Sequence, residues 1–350
     1  SPNTAGETMS AVQSFYKTLS YKNVLTPEVL DLAWEKIRKL VKVIGYDLAN
    51  SSKILVIDST DQAVKRPKKK QDPTKVEGDL RPLHAEEQDV IDKNIATAPV
   101  TTQLIFAVAR LTGARLQTIC TLRGSTLKEA VYNPEKDHYL VHVGGSRLSL
   151  CNTKGNKEET LVFPRELHEK LIAYWNGNVA ASRRIESMYG NTLDNYLFLN
   201  QNGKSFYASH QEKNDNRDPK YHNGVHPSSA LKRSVDNRKG QAVEQYLKNT
   251  LIKTVQRSEP GYENFKFKFH DLRATFGMNT LKPLIDHEGM NASDALEKVC
   301  ELLNHANIGV TTTYLDFRNY KGKKHLTEAQ REIETRLLSK VTDEALKYDF

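Results

Sequence analysis

Tyr139-Leu140-Val141-His142-Val143 is the stretch that decides the fold class, because there the apolar residues stop recurring at helical spacing and begin to alternate. Arg147-Leu148-Ser149-Leu150 and Thr160-Leu161-Val162-Phe163 continue the alternation, with Gly144-Gly145 and Lys154-Gly155-Asn156-Lys157 as turns. The three runs predict a small antiparallel sheet set among helices. Before it, helices are expected over 84–96 and over 101–122, the second carrying Leu104, Ile105, Ala107, Val108, Leu111, Ile119 and Leu122 and bent at Gly113. After it, helical spacing returns over 166–175, 241–255, 270–281, 292–303, 310–317 and 327–346, with a short apolar segment at Tyr196-Leu197-Phe198-Leu199. The fold class that follows is mainly α with a small antiparallel β-sheet (α+β).

Upstream, Val29, Leu30, Leu32, Ala33, Ile37, Leu40, Val41 and Ile44 recur at helical spacing behind Thr26-Pro27-Glu28, predicting a helix over 25–48, with a shorter one around Met9 to Leu19. Residues 1–64 therefore read as an N-terminal helical segment too small to bury a core alone; it packs on the rest or is the remnant of a larger helical domain. Residues 65–79, with Lys65, Arg66, Lys68, Lys69 and Lys70 beside Pro67 and Pro73, read as an exposed basic linker. Its lysines suit a nucleic-acid backbone, a nuclear address or a solvated tether. Residues 80–350 form the main domain, in which 201–223, rich in Asn, Asp, His, Lys and Gly, reads as a mobile polar surface insertion.

The chain has 350 residues, enough for about two domains, and 51 Lys and Arg against 43 Asp and Glu, which favours a polyanionic partner. Cys120, Cys151 and Cys300 are too few for a disulfide framework and form no CxxC pair for zinc, which points to a reducing, intracellular setting. No apolar stretch is long enough to span a bilayer. The polar start Ser1-Pro2-Asn3-Thr4 is no signal sequence and reads as an internal cut, with part of the natural protein preceding it.

The chemistry-bearing residues cluster towards the C-terminus. His270 and Arg273 stand three apart on one helix face, so an imidazole and a planar guanidinium can address the same phosphate. Further on, Leu303-Asn304-His305 precedes Thr311-Thr312-Thr313-Tyr314. A phenol is a poor nucleophile at its ordinary pKa near 10 and needs cations or a base beside it. The set suits cutting a phosphodiester without a metal.

The string Phe269-His270-Asp271-Leu272-Arg273-Ala274-Thr275-Phe276, with Leu303-Asn304-His305 and Tyr314, resembles the tyrosine recombinase, or phage integrase, family, over roughly residues 80–317. The resemblance implies a recombinase-like catalytic domain preceded by a small helical domain, the latter part of a core-binding domain. It also implies an arginine in a Thr-Gly-x-Arg turn, supplied by Thr112-Gly113-Ala114-Arg115, and a hairpin lysine, supplied by Thr153-Lys154-Gly155-Asn156-Lys157-Glu158 ahead of Leu161-Val162-Phe163-Pro164. Three positions depart from the family pattern: Thr118 stands where an acidic residue is usual, so support for Arg115 is expected from elsewhere, Asn304 replaces a glycine, and Asp316 a histidine.

In the role set that the resemblance implies, Tyr314 attacks phosphorus to give a 3′-phosphotyrosine, Arg115 and Arg273 clamp the phosphate, and His305 donates a further hydrogen bond. His270 takes the phenolic proton, and Lys154 protonates the leaving 5′ oxygen. No cofactor and no metal is implied. The partners implied are double-stranded DNA, further copies of the chain in a tetramer on DNA, and accessory DNA-bending proteins, in a cytoplasmic, nucleoid-associated, bacterial or mobile-element setting without a membrane. Arg238 and Lys239, within the basic stretch 233–253, are candidate DNA contacts, although a solvated helix face fits that stretch equally. The helix at 327–346 docks on a neighbouring protomer or packs in cis. A type IB-like topoisomerase and a non-catalytic DNA-binding protein on the same fold are the alternative functions.

Overall fold

The computed structural model describes residues 2–26, 28–29, 36–44, 52–60, 80–145, 149–222, 226, 228–305 and 311–314. It divides the chain into two compact units, residues 1–70 and 71–350. The basic run at 65–70 and the helix expected at 327–346 lie outside the described residues.

In the first unit, helix α1 spans Pro2–Tyr21, longer than the helix expected around Met9 to Leu19. The helix expected over 25–48 is corrected: Lys36–Ile44 (β1) and Ser52–Thr60 (β2) are antiparallel strands in register from Lys36↔Thr60 to Ile44↔Ser52. Ile37, Val41, Val43 and Ile44 are β-branched and stiff at χ1, which favours a pleated strand once a partner of the same character is present. Ile54-Leu55-Val56-Ile57 is that partner, and pairing over nine residues overrides the helical spacing of β1.

The second unit is mainly helical around a three-stranded antiparallel sheet. Helices α2 (Ala85–Ile95) and α3 (Val100–Thr112) lead to Gly113, whose φ of 66° ends α3 in the left-handed conformation. A Cβ there would stand 2.5 Å from Phe276 Cδ1, so neither the backbone nor the packing admits a side chain. Helices α4 (Leu116–Thr121) and α5 (Gly124–Lys128) follow, so the bend expected at Gly113 is present.

The sheet is ordered β3 (Val131–Asn133), β4 (His138–Val143), β5 (Glu159–Pro164), with register Asn133↔His138 and Val143↔Glu159. The short edge strand β3 carries no clear alternation and escapes sequence reading. The strand expected over 147–150 is not found: 146–148 lie outside the described residues, and Ser149 and Leu150 belong to no strand. Gly144 and Gly145, at φ of 79° and 71°, turn the chain off the sheet instead.

Val141, Val143, Leu161 and Phe163 form the inner face of the sheet and share one core with Ile105, Phe106 and Val108 of α3. Burying one such side chain stabilises the fold by about 1.5–3 kcal/mol. Helices α6 (Arg165–Asn176) and α7 (Asn178–Ile185) flank this core. Of the segment 201–223, expected as a mobile insertion, residues 201–222 are described and folded. Within it, α8 (His210–Asp215) places Glu212 against Tyr196, whose hydroxyl donates to Glu212 Oε2 at 2.7 Å, and Ser205 Oγ donates to the same oxygen at 2.8 Å. Polar side chains can be buried when they satisfy one another, and composition alone does not reveal that.

After α9 (Ser229–Asp236), α10 (Gln241–Tyr246) runs through a π turn, Leu247–Leu251, into α11 (Ile252–Ser258). Helices α12 (Asp271–Asp286) and α13 (Ala292–Leu302) build a second core from Ala274, Leu281, Val299, Leu303 and Tyr314. No helix among the described residues is long and apolar enough to cross a membrane.

Burial raises both core thiols, Cys151 up to about 12, while Cys300 is half-buried. A thiol held that high is not a thiolate at pH 8. The native protein is therefore expected to show one thiol reacting quickly with Ellman's reagent and three after denaturation; a second fast thiol in the native protein would remove Cys120 or Cys151 from the core, and a third would remove both.

Candidate active site

Asp271 opens α12 and fixes its start, its carboxylate accepting from the backbone N–H of Lys268 at 2.8 Å and of Arg81 at 3.1 Å. An anion in the first turn also complements the helix dipole. Two residues on, Arg273 is buried, 3 % exposed, and donates from Nη1 to the Gly113 carbonyl at 2.8 Å and from Nη2 to the Leu303 carbonyl. One guanidinium thus joins the turn after α3, the start of α12 and the end of α13.

Arg115 lies just beyond Gly113 as the N-cap residue of α4, and its Nη1 donates to Glu159 Oε1 at 3.2 Å. Glu159 is the first residue of β5 and points to the same buried side as Leu161 and Phe163. Burial pushes its carboxyl above the usual carboxylate range, while Arg115, Arg273, the Asn304 side chain and Lys157 pull it down. Removing Arg115 would leave that carboxylate buried without its ion-pair partner, an arrangement that costs about 3–5 kcal/mol.

Asn304 takes a left-handed conformation, φ 45°, which asparagine tolerates better than most residues, and its Nδ2 donates to the Glu158 carbonyl at 3.1 Å. His305 follows. Its Nδ1 stands 2.9 Å from Thr311 Oγ1, and its ring centroid is 6.4 Å from that of Tyr314. Tyr314 is wholly buried against α12, where a Cβ on Gly277 would come within 2.6 Å of Tyr314 Cε1.

Of the six residues singled out in the sequence, Arg115 and Arg273 share the Glu159 carboxylate, and the rings of His305 and Tyr314 stand side by side. His270, the N-cap residue of α12, is half-buried and lines a groove of about 600 Å³ with Lys248, Lys253, Lys266, Lys268 and Phe267. Lys154 is exposed on the turn Lys154–Asn156 between β4 and β5.

No family model and no curated protein matches the chain. Among solved structures, it is similar to a fragment of the Tn1549 transposon integrase in complex with circular intermediate DNA, at 14% identity and a TM-score of 0.40, over 67% of this chain and 60% of that one. A substituted form of that integrase with a circular intermediate DNA aligns at 13% identity and a TM-score of 0.42, over 75% of this chain and 68% of that one. In the first alignment the match takes in less than two thirds of the integrase fragment.

Of the candidate DNA contacts, Lys65, Arg66, Lys68, Lys69 and Lys70 lie outside the described residues. Arg238 commits its guanidinium to the interior, donating to Ser205 Oγ at 2.8 Å and to Glu212 Oε1 at 2.7 Å, while Lys239 beside it is exposed. Among the described residues, no group of three or more His, Cys, Asp or Glu side chains is placed to hold a metal ion.

Sequence reading missed Glu159, Thr311 and Gly277 as parts of the site. A readable signal existed for Glu159: an acidic residue at the head of a strand, in step with Leu161 and Phe163 on its apolar side.

The contact between Gly277 and Tyr314 makes a direct test. Gly277→Ala is expected to overpack the seat of Tyr314 and to destabilise the protein by about 1–3 kcal/mol, read from the urea unfolding midpoint. An unchanged midpoint would mean that α12 and Tyr314 are not packed this closely.

Proposed function

We propose that the chain cleaves and rejoins DNA strands through a covalent 3′-phosphotyrosine, as a site-specific recombinase or integrase. What supports the reading is that Arg115 and Arg273 both act on the Glu159 carboxylate, that Asn304 reaches the adjoining Glu158 carbonyl, and that the His305 and Tyr314 rings stand 6.4 Å apart. Phosphoryl transfer needs cations on the non-bridging oxygens, an in-line nucleophile and a protonated leaving group. Arg115 and Arg273 supply the cations and His305 a further donor.

In this mechanism Tyr314 Oη attacks phosphorus, its proton passes to His270, and the bond to the 5′ oxygen breaks as Lys154 delivers a proton to it. The 5′ hydroxyl of a partner strand then reverses the step, so the phosphotyrosine conserves the bond energy and no nucleotide cofactor is needed. Tyr314 is buried, and its packing must loosen for its hydroxyl to reach a phosphate. The four lysines lining the groove beside His270 support a duplex DNA partner and imply binding that weakens steeply with salt. Action as a tetramer on DNA belongs to the same proposal.

The target site can be found by the reaction itself. Incubating the protein with a random-sequence duplex pool in EDTA and stopping with detergent is expected to yield a covalent protein–DNA adduct whose DNA, once sequenced, defines the site. Tyr314→Phe should give no adduct; an adduct from that variant reassigns the nucleophile, and none from the unaltered protein overturns the enzymatic reading.

A further inference from the structure

We infer that Glu159 is a positioning residue of this site, one that holds Arg115 in place and ties it, through the strand it begins, to the turn carrying Lys154 and to the loop carrying His305. The inference rests on the recombinase reading and assigns a role within it to a residue that does not itself touch the DNA.

Three segments distant in sequence meet at this carboxylate. Arg115 donates to it at 3.2 Å from the head of α4, Glu159 belongs to β5, and Asn304 reaches across from the residue before His305 to the carbonyl of Glu158 at 3.1 Å. The pair is well enclosed, with side-chain exposures of 18% for Arg115 and 5% for Glu159. Arg115 has no carboxylate of its own helix to lean on: Thr118, one turn along α4, presents a buried hydroxyl that finds no hydrogen-bond partner among the described residues.

Arg115 and Arg273 both act on the Glu159 carboxylate. Two guanidiniums converging on one phosphate repel each other until the phosphate arrives. A fixed carboxylate offsets that repulsion and pre-orients Arg115, so that the guanidinium need not be ordered during the reaction. Glu159 is five residues from Lys154 and separated from it by a turn with left-handed Gly155 and Asn156, φ 71° and 55°, so the fixed start of β5 also sets where that turn ends.

Glu159→Gln keeps the shape and removes the charge. On the site defined by adduct trapping, it is expected to slow single-turnover cleavage by about a hundredfold while DNA affinity changes by less than about threefold. Because Glu159 acts through Arg115, the same change made in an Arg115→Lys background should slow cleavage little further.

Cleavage by E159Q at the unaltered rate overturns the inference, as does an equal loss in both backgrounds, which is the signature of a residue supporting the fold alone. Should E159Q not unfold cooperatively, Glu159→Asp, which keeps the charge but withdraws it by one methylene, takes its place: slowed cleavage at unchanged affinity supports the role and an unaltered rate overturns it. Absence of any adduct from the unaltered protein is a separate result, overturning the recombinase reading and this inference with it.

Discussion

The site depends on one buried cation. Arg273 could not sit inside the protein unless its charge and its donors were answered there, because an unpaired buried charge costs several kcal/mol. Its partners are the backbone carbonyls of Gly113 and Leu303, which belong to separate segments, so satisfying one side chain draws those segments together. Gly113 carries two duties in that arrangement. It ends α3 in a conformation that frees its carbonyl direction, and it leaves room for Phe276 and Leu303 to close over it. Arg115, two residues later, is thereby delivered to the same place, and His305, two residues after Leu303, arrives from the other side.

Order along the chain made most of this legible. The bend at Gly113, the start of α12 near His270 and the strands at 138–143 and 159–164 follow from local spacing and local turn chemistry, which a sequence displays directly. What stayed hidden depends on partners far along the chain. β1 has apolar residues at helical spacing and becomes a strand because Ile54 to Ile57 lie opposite it. The segment 201–223 is polar enough to suggest solvent, yet Ser205, Ser209 and Glu212 are buried because Tyr196 and Arg238 meet them. Glu159 is the same case inside the site: its neighbours in sequence say strand, and only the fold supplies the arginine.

The turn bearing Lys154 and the seat of Tyr314 differ in a way that bears on mechanism. Arg273 and Tyr314 are enclosed, and Arg115 and His305 are partly so, each fixed by contacts to at least one other segment. Lys154 to Glu158 are all exposed, between the buried Asn152 and Thr153 on one side and Glu159 on the other, with Thr153 Oγ1 donating to the Lys157 carbonyl across them. Segments with few buried contacts open at the lowest free energy, so the turn can move while the arginines stay put.

That division suits the chemistry proposed. The groups that stabilise charge on the phosphate gain from being fixed before the substrate arrives, whereas an acid for the leaving oxygen has to follow an atom that departs. Glu159 and Asn304 stand at the border between the two. They fasten the Glu159 end of the turn to the enclosed part, as the buried Asn152 and Thr153 fasten the other, and the exposed residues 154–158 lie between. In the proposed mechanism, a turn held at Thr153 and at Glu159 with an exposed tip leaves the flexible side chain of Lys154, rather than the backbone, to follow the departing 5′ oxygen.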